Sequence, residues 1–228
     1  MKIKERGIIF NSEMVRAILD GRKTQARRVI KNCMVGRDEI SPFIKVGNFS
    51  GHYPDDLPEV IKNCCPFGQV GDRLWVKETW SDVNYEGYTA LAYRADGELR
   101  ALNEDDGDDS DPNLEKYQFA NWYPDLIEGT GGRWRSSMQM PRWASRITLE
   151  ITDIRVERLQ DISQEDARSE GITDGGCINC GEPEPCVCEK PTPDAVDSYA
   201  YLWNNIYGQD SWQSNPWVWV IEFKRIEK

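Results

Sequence analysis

The chain has 228 residues, enough for one large domain or two small ones with a sizeable buried core. Nine Trp, nine Tyr and six Phe supply the apolar surface of a packed protein and exclude a disordered one. A formal net charge of −11 excludes a general polyanion binder, whose affinity comes from many phosphate contacts, but it leaves room for a local cationic site.

The N-terminal stretch Met1-Lys2-Ile3-Lys4-Glu5-Arg6 is too polar for a secretory leader. Ile8, Ile9 and Phe10 read as a short strand. Asn11 or Ser12 then caps a helix that carries Met14, Val15, Ile18 and Leu19 on one face, and Gly21 ends it. Immediately after comes Gly21-Arg22-Lys23-Thr24-Gln25-Ala26-Arg27-Arg28, the densest cationic segment of the first part of the chain. Residues 1–31 together hold nine Lys or Arg against three Asp or Glu.

Residues 32–65 read as a loop-rich excursion. A turn through Pro66–Asp72 introduces a strand over Arg73–Trp80, and Tyr88–Tyr93 is its expected partner. The acidic run 103–112 is too charged to pack and lacks the spacing of a calcium loop. Ser145–Val156 has clear alternation, with Ile147, Leu149 and Ile151 against Thr148, Glu150 and Thr152. Ser163 opens a short helix that Gly171 closes. Asp194–Tyr207 is a second helix, stopped by Gly208, and Trp217–Phe223 is apolar enough for a central strand. Short strands with few helices between them predict an α+β fold whose sheet curls or closes into a small barrel.

No window approaches the roughly 18 apolar residues of a membrane span. The odd count of seven cysteines, without a leader, predicts reduced thiols and a cytoplasmic setting. Cys177, Cys180, Cys186 and Cys188 stand among glycines and prolines at a spacing that suits one tetrahedral structural Zn²⁺; the competing reading is a reduced loop. His52 is the only histidine, which argues against His-dependent acid–base or Ser-His-Asp chemistry. Trp75, Trp80, Trp143, Trp217 and Trp219 are candidates for stacking on bases, although aromatics at alternating strand positions more often fill a core.

Several blocks in order resemble the ASCH family, which shares the barrel of the PUA domain. They are Phe10-Asn11 with the helix into Gly21-Arg22-Lys23-Thr24, then Gly71–Thr79, Met140–Ile147, the Ile162–Gly171 helix and the closing Trp217–Phe223 strand. The arrangement is similar to the longer ASCH proteins of phages and prophages. The resemblance implies a single PUA-like domain, a small closed β-barrel with flanking helices, with insertions at about 33–63, 100–130 and 174–193, the last of them Cys-rich. It also implies binding of RNA or a modified nucleoside or nucleotide.

Some members of the family are amidohydrolases acting on acetylated cytidine, and their lysine and glutamate match Lys23 and Glu170. Their threonine position falls on Ala26, which has no nucleophilic atom. The expected ligand contacts are Lys23, Thr24, Arg27, Arg28, Trp143 and Arg146, with Lys23, Ala26 and Glu170 at the catalytic positions. Three readings therefore stand side by side: a binding protein for RNA or a modified nucleoside, a hydrolase of N-acylated cytidine, and a phage adaptor that engages a host protein through its acidic surface.

Overall fold

The computed structural model describes residues 3–30, 65–102, 117–173 and 195–226, which form two sheets and four helices in a mixed α+β arrangement. In chain order the elements begin with β1 (Glu5–Ile9), α1 (Ser12–Leu19), β2 (Gln25–Val29), β3 (Arg73–Lys77), β4 (Trp80–Tyr85), β5 (Tyr88–Tyr93) and β6 (Leu99–Ala101). They continue with β7 (Asn121–Trp122), α2 (Tyr123–Glu128), β8 (Thr148–Arg158), α3 (Gln164–Ser169), α4 (Ala195–Tyr207) and β9 (Trp217–Ile226). Among the described residues no helix is long and apolar enough to cross a membrane. The four clustered cysteines, Cys177 to Cys188, lie outside the described residues.

The chain divides into two compact units. Of the described residues, the first takes in 3–4, 20–30, 65–72, 150–173 and 195–224, and the second 5–19, 73–102, 117–149 and 225–226. In the first unit β9 lies between β8 and β2, and β2 pairs with it antiparallel, Gln25 opposite Glu222 and Val29 opposite Val218. Helices α3 and α4 close the core here, where Leu159, Ala167, Tyr199, Trp203, Val218 and Val220 pack together. Ser163 caps α3 by accepting from the Asp166 N–H at 3.1 Å, and Gly171 follows at φ +95°, as the capping pattern predicts.

In the second unit β1 and β3 pair in parallel, and β6, β5, β4 and β7 form a four-stranded sheet. Two small cores serve it. Trp80, Leu91, Tyr93, Met140 and Ala144 make one; Val83, Ala90, Ala92 and Leu126 make the other. The expected strand over Arg73–Trp80 is broken in two, because the Glu78 N–H turns away to the Met140 sulfur at 3.4 Å. Asn11, rather than Ser12, caps α1, accepting from the Met14 N–H at 2.8 Å.

Candidate functional site

The cationic segment after α1 is not a solvated helix end. Lys23 forms an isolated antiparallel bridge with Glu170, and the next residues become strand β2. Thr24 is stitched on both sides: its N–H donates to the Ser169 carbonyl at 2.8 Å, and its carbonyl accepts from the Phe223 N–H at 2.9 Å. These bonds fix the register in which the segment's side chains enter the unit. Alternation along β2 then sends Gln25 and Arg27 to one face and Ala26 to the other.

Lys23 Nζ lies 2.5 Å from Glu170 Oε2 and donates to the Glu170 backbone carbonyl at 2.8 Å. Both side chains are removed from water, at 0 % and 3 % exposure. Arg27 approaches the other carboxylate oxygen, Oε1, at 3.3 Å, and the Tyr199 hydroxyl donates to that same oxygen at 3.4 Å. The Arg27 guanidinium also donates to Glu157 at 2.6 Å and to Gln25 Oε1 at 2.8 Å, and it lies 3.3 Å from Asp166. Gln25 Nε2 answers with bonds to Asp166 at 2.7 Å and Glu222 at 3.1 Å. Arg155 closes the outer side, bound to Glu222 and, at 2.9 Å, to Asp166.

The cluster is nearly balanced, with cations at Lys23, Arg27 and Arg155 facing acids at Glu157, Asp166, Glu170 and Glu222. Balance matters because a buried charge without a partner costs several kcal/mol, roughly 3–5 when one member of a pair is removed. Burial dominates the Lys23 ammonium and draws its pKa down, although Glu170 pulls the other way. Burial alone would raise the Asp166 carboxyl, but Gln25, Arg27 and Arg155 together hold it below its usual range. The Tyr199 hydroxyl is pushed well above its ordinary value, first by burial and then by the Glu170 charge. Arg27 Nε has no acceptor among the described residues, so the guanidinium is not saturated.

No protein-family model, curated protein or solved structure matches the chain.

Of the residues expected from the sequence, Lys23, Arg27 and Glu170 are brought together. Thr24 and Arg28 flank them, Thr24 exposed and Arg28 half-buried. Ala26 is fully buried and, by alternation, faces away from Gln25 and Arg27.

Trp143 and Arg146 belong to the second unit. Trp143 packs edge-on against Trp80 and Tyr117, with ring centroids 6.2 and 5.4 Å away. Arg146 is held by Glu78 at 2.9 Å, by Asp96 at 2.8 Å and by Glu98, over the Tyr93 ring.

Gln25, Arg155, Glu157, Tyr199 and Glu222 are cluster members that the sequence reading does not single out. Glu222 carried the visible signal, as a lone acid inside the apolar run Trp217–Phe223. Arg155 and Glu157, two apart on β8, carried a weaker one.

Proposed function

We propose that the chain is an ASCH-type protein, built on a PUA-like barrel, that binds RNA or a modified nucleoside or nucleotide at the β2 segment. The observation that carries this reading is the buried meeting of Lys23 and Glu170, 147 residues apart, at the two positions the family resemblance singles out. Exposed Thr24 and half-buried Arg28 are assigned the direct contacts, a hydroxyl and a guanidinium suited to phosphate or base edges. Lys23, Arg27 and Glu170 are positioning residues that hold β2 in register. The same reading gives Cys177, Cys180, Cys186 and Cys188 one structural Zn²⁺, and metal quantitation on the purified protein tests it.

Calorimetric titration with cytidine, acetylated cytidine and short RNA tests the binding reading. Arg28→Ala and Thr24→Ala are expected to weaken binding about tenfold or less each, with the circular dichroism spectrum unchanged. A protein that binds none of these ligands, or binds them equally well in both variants, overturns the assignment.

A second reading is favoured by the lowered Lys23 pKa beside Glu170, an arrangement that can move a proton. Here Glu170 would take a proton from water, the hydroxide would add to the acyl carbonyl, and Lys23 would return a proton to the departing exocyclic nitrogen. Acetate and cytidine would be the products. Acetate release that Lys23→Met abolishes favours the hydrolase; no release at high protein concentration leaves the binding reading alone. Because position 26 faces away, Ala26→Thr should create no turnover where the parent has none.

A further inference from the structure

In the second unit, the parallel register sets Glu5 beside Arg73, Gly7 beside Trp75 and Ile9 beside Lys77. Side chains alternate along a strand, so these six share one face of the pair, while Ile8, Leu74 and Val76 fill the buried face. Gly7 is exposed, and Trp75 and Lys77 are half-buried. A Cβ on Gly7 would stand 2.9 Å from the Trp75 ring, so the indole lies directly across the β1 backbone. Lys77 Nζ sits 5.3 Å from that ring's centroid, and the Arg142 guanidinium 6.0 Å from it.

The face is cationic although the protein is not. Among the described residues, Arg73, Lys77 and Arg142 share this face with one ion-paired carboxylate, Glu5, which Arg142 holds at 2.9 Å and Arg73 approaches at 3.7 Å. The hydrogen bond from Arg142 keeps the Glu5 carboxyl below its usual range, so it stays ionised and the excess is two positive charges. Those cations retain free donors. Lys77 spends one N–H on the Met138 carbonyl at 2.7 Å, and Arg142 NH2 reaches Thr148 Oγ1 at 3.3 Å.

We propose that this face binds single-stranded nucleic acid, with one base on the Trp75 indole and neighbouring phosphates on Arg73, Lys77 and Arg142. A row of cation, indole and cation spaced over about 13 Å matches a strand that offers charge and π-face in turn. A duplex hides its base faces, and an acidic peptide has no use for the indole. The face is built from other residues than the β2 segment, so strand binding that depends on Lys77 and nucleoside binding that depends on Arg28 are independent readouts, and either can fail alone.

The test is fluorescence anisotropy with labelled RNA and DNA single strands of one pyrimidine sequence, and with the corresponding duplex, across a salt series. The wild-type protein should bind both single strands and favour them over the duplex. Lys77→Glu should weaken binding about tenfold or more and flatten the log–log salt slope by about 0.7 or more, the share of one phosphate contact. Trp75→Leu should weaken it about tenfold without changing that slope, which a merely structural role would not produce. Circular dichroism checks that both variants fold. Absent strand binding, a Lys77→Glu variant that binds like the parent, or equal binding of heparin and an acidic peptide with Trp75→Leu unaffected, would overturn the proposal.

Discussion

Arg27 in the first unit and Arg146 in the second each meet three carboxylates, yet the two are stabilised differently. Around Arg27, Glu170 is buried, at 3 % exposure, and Glu157 and Asp166 are half-buried, at 20 % each. Their charge is offset from within, by Lys23 on Glu170 and by Arg155 on Asp166 and Glu157. Around Arg146 there is no second cation among the ion pairs of the described residues, and the partners grade outward from Glu78 at 2 % exposure to Glu98 at 56 %. Water does there what Lys23 and Arg155 do in the first unit. Depth sets the stoichiometry: the more deeply buried cluster carries its own counter-charges, whereas the more open one needs a single anchor.

The sharpest way to break this comparison is to remove one anchor from each. Glu170→Ala takes the facing carboxylate from both Lys23 and Arg27, and should cost about 3–5 kcal/mol in urea unfolding. Adding Lys23→Met should recover part of that loss, because the buried ammonium that had faced the carboxylate is then gone. Arg146→Met should cost less, about 2 kcal/mol, since Asp96 and Glu98 can turn to solvent and only Glu78 is left behind. Equal costs for the two anchors would sink the distinction.

Titration sharpens it further. Burial raises the Glu78 carboxyl above its ordinary 4.5, with Arg146 opposing. Between 4.5 and that raised value the native state holds the extra proton, so stability should fall as pH rises through the window. A Glu78→Gln variant should lose this slope. Lys23 has the opposite sign. Its pKa is lowered from 10.5, so the unfolded chain binds more protons between the lowered value and 10.5. Wild type should therefore gain stability over Lys23→Met as pH climbs through that range, measured by denaturant midpoints at each pH. The smallest effect belongs to the exposed pair Lys224–Glu150, at 2.8 Å, where Lys224→Ala should shift stability by about 0.5 kcal/mol or less.

Much of the framework was legible from local rules. Helix α4 stops where Gly208 takes φ +102°, α3 starts on Ser163, and the apolar run from Trp217 is a strand with Val218, Val220 and Ile221 fully buried. Strand β2 was not legible, because Arg27 looks like solvent-facing charge until Glu157, Asp166 and Glu170 arrive from later segments. Lys23 and Glu170 were reachable only through the family resemblance, since nothing local to either residue reveals a partner 147 positions away. Trp143 is half-buried and packs edge-on against Trp80 and Tyr117, contacts with distant segments that the sequence around it does not reveal. Periodicity records which face of an element is apolar; it is silent on which distant charge will meet which.

The stitching of Thr24 has a consequence for biosynthesis. Its carbonyl waits for Phe223, and Gln25 waits for Glu222 at a separation of 197 residues, so β2 leaves the ribosome long before its partner strand exists. At about 5–20 residues per second the delay is roughly 10–40 s. Until Glu157, Asp166 and Glu170 follow, Lys23 and Arg27 are hydrated charges on an unmated strand, a composition that opposes edge-to-edge association.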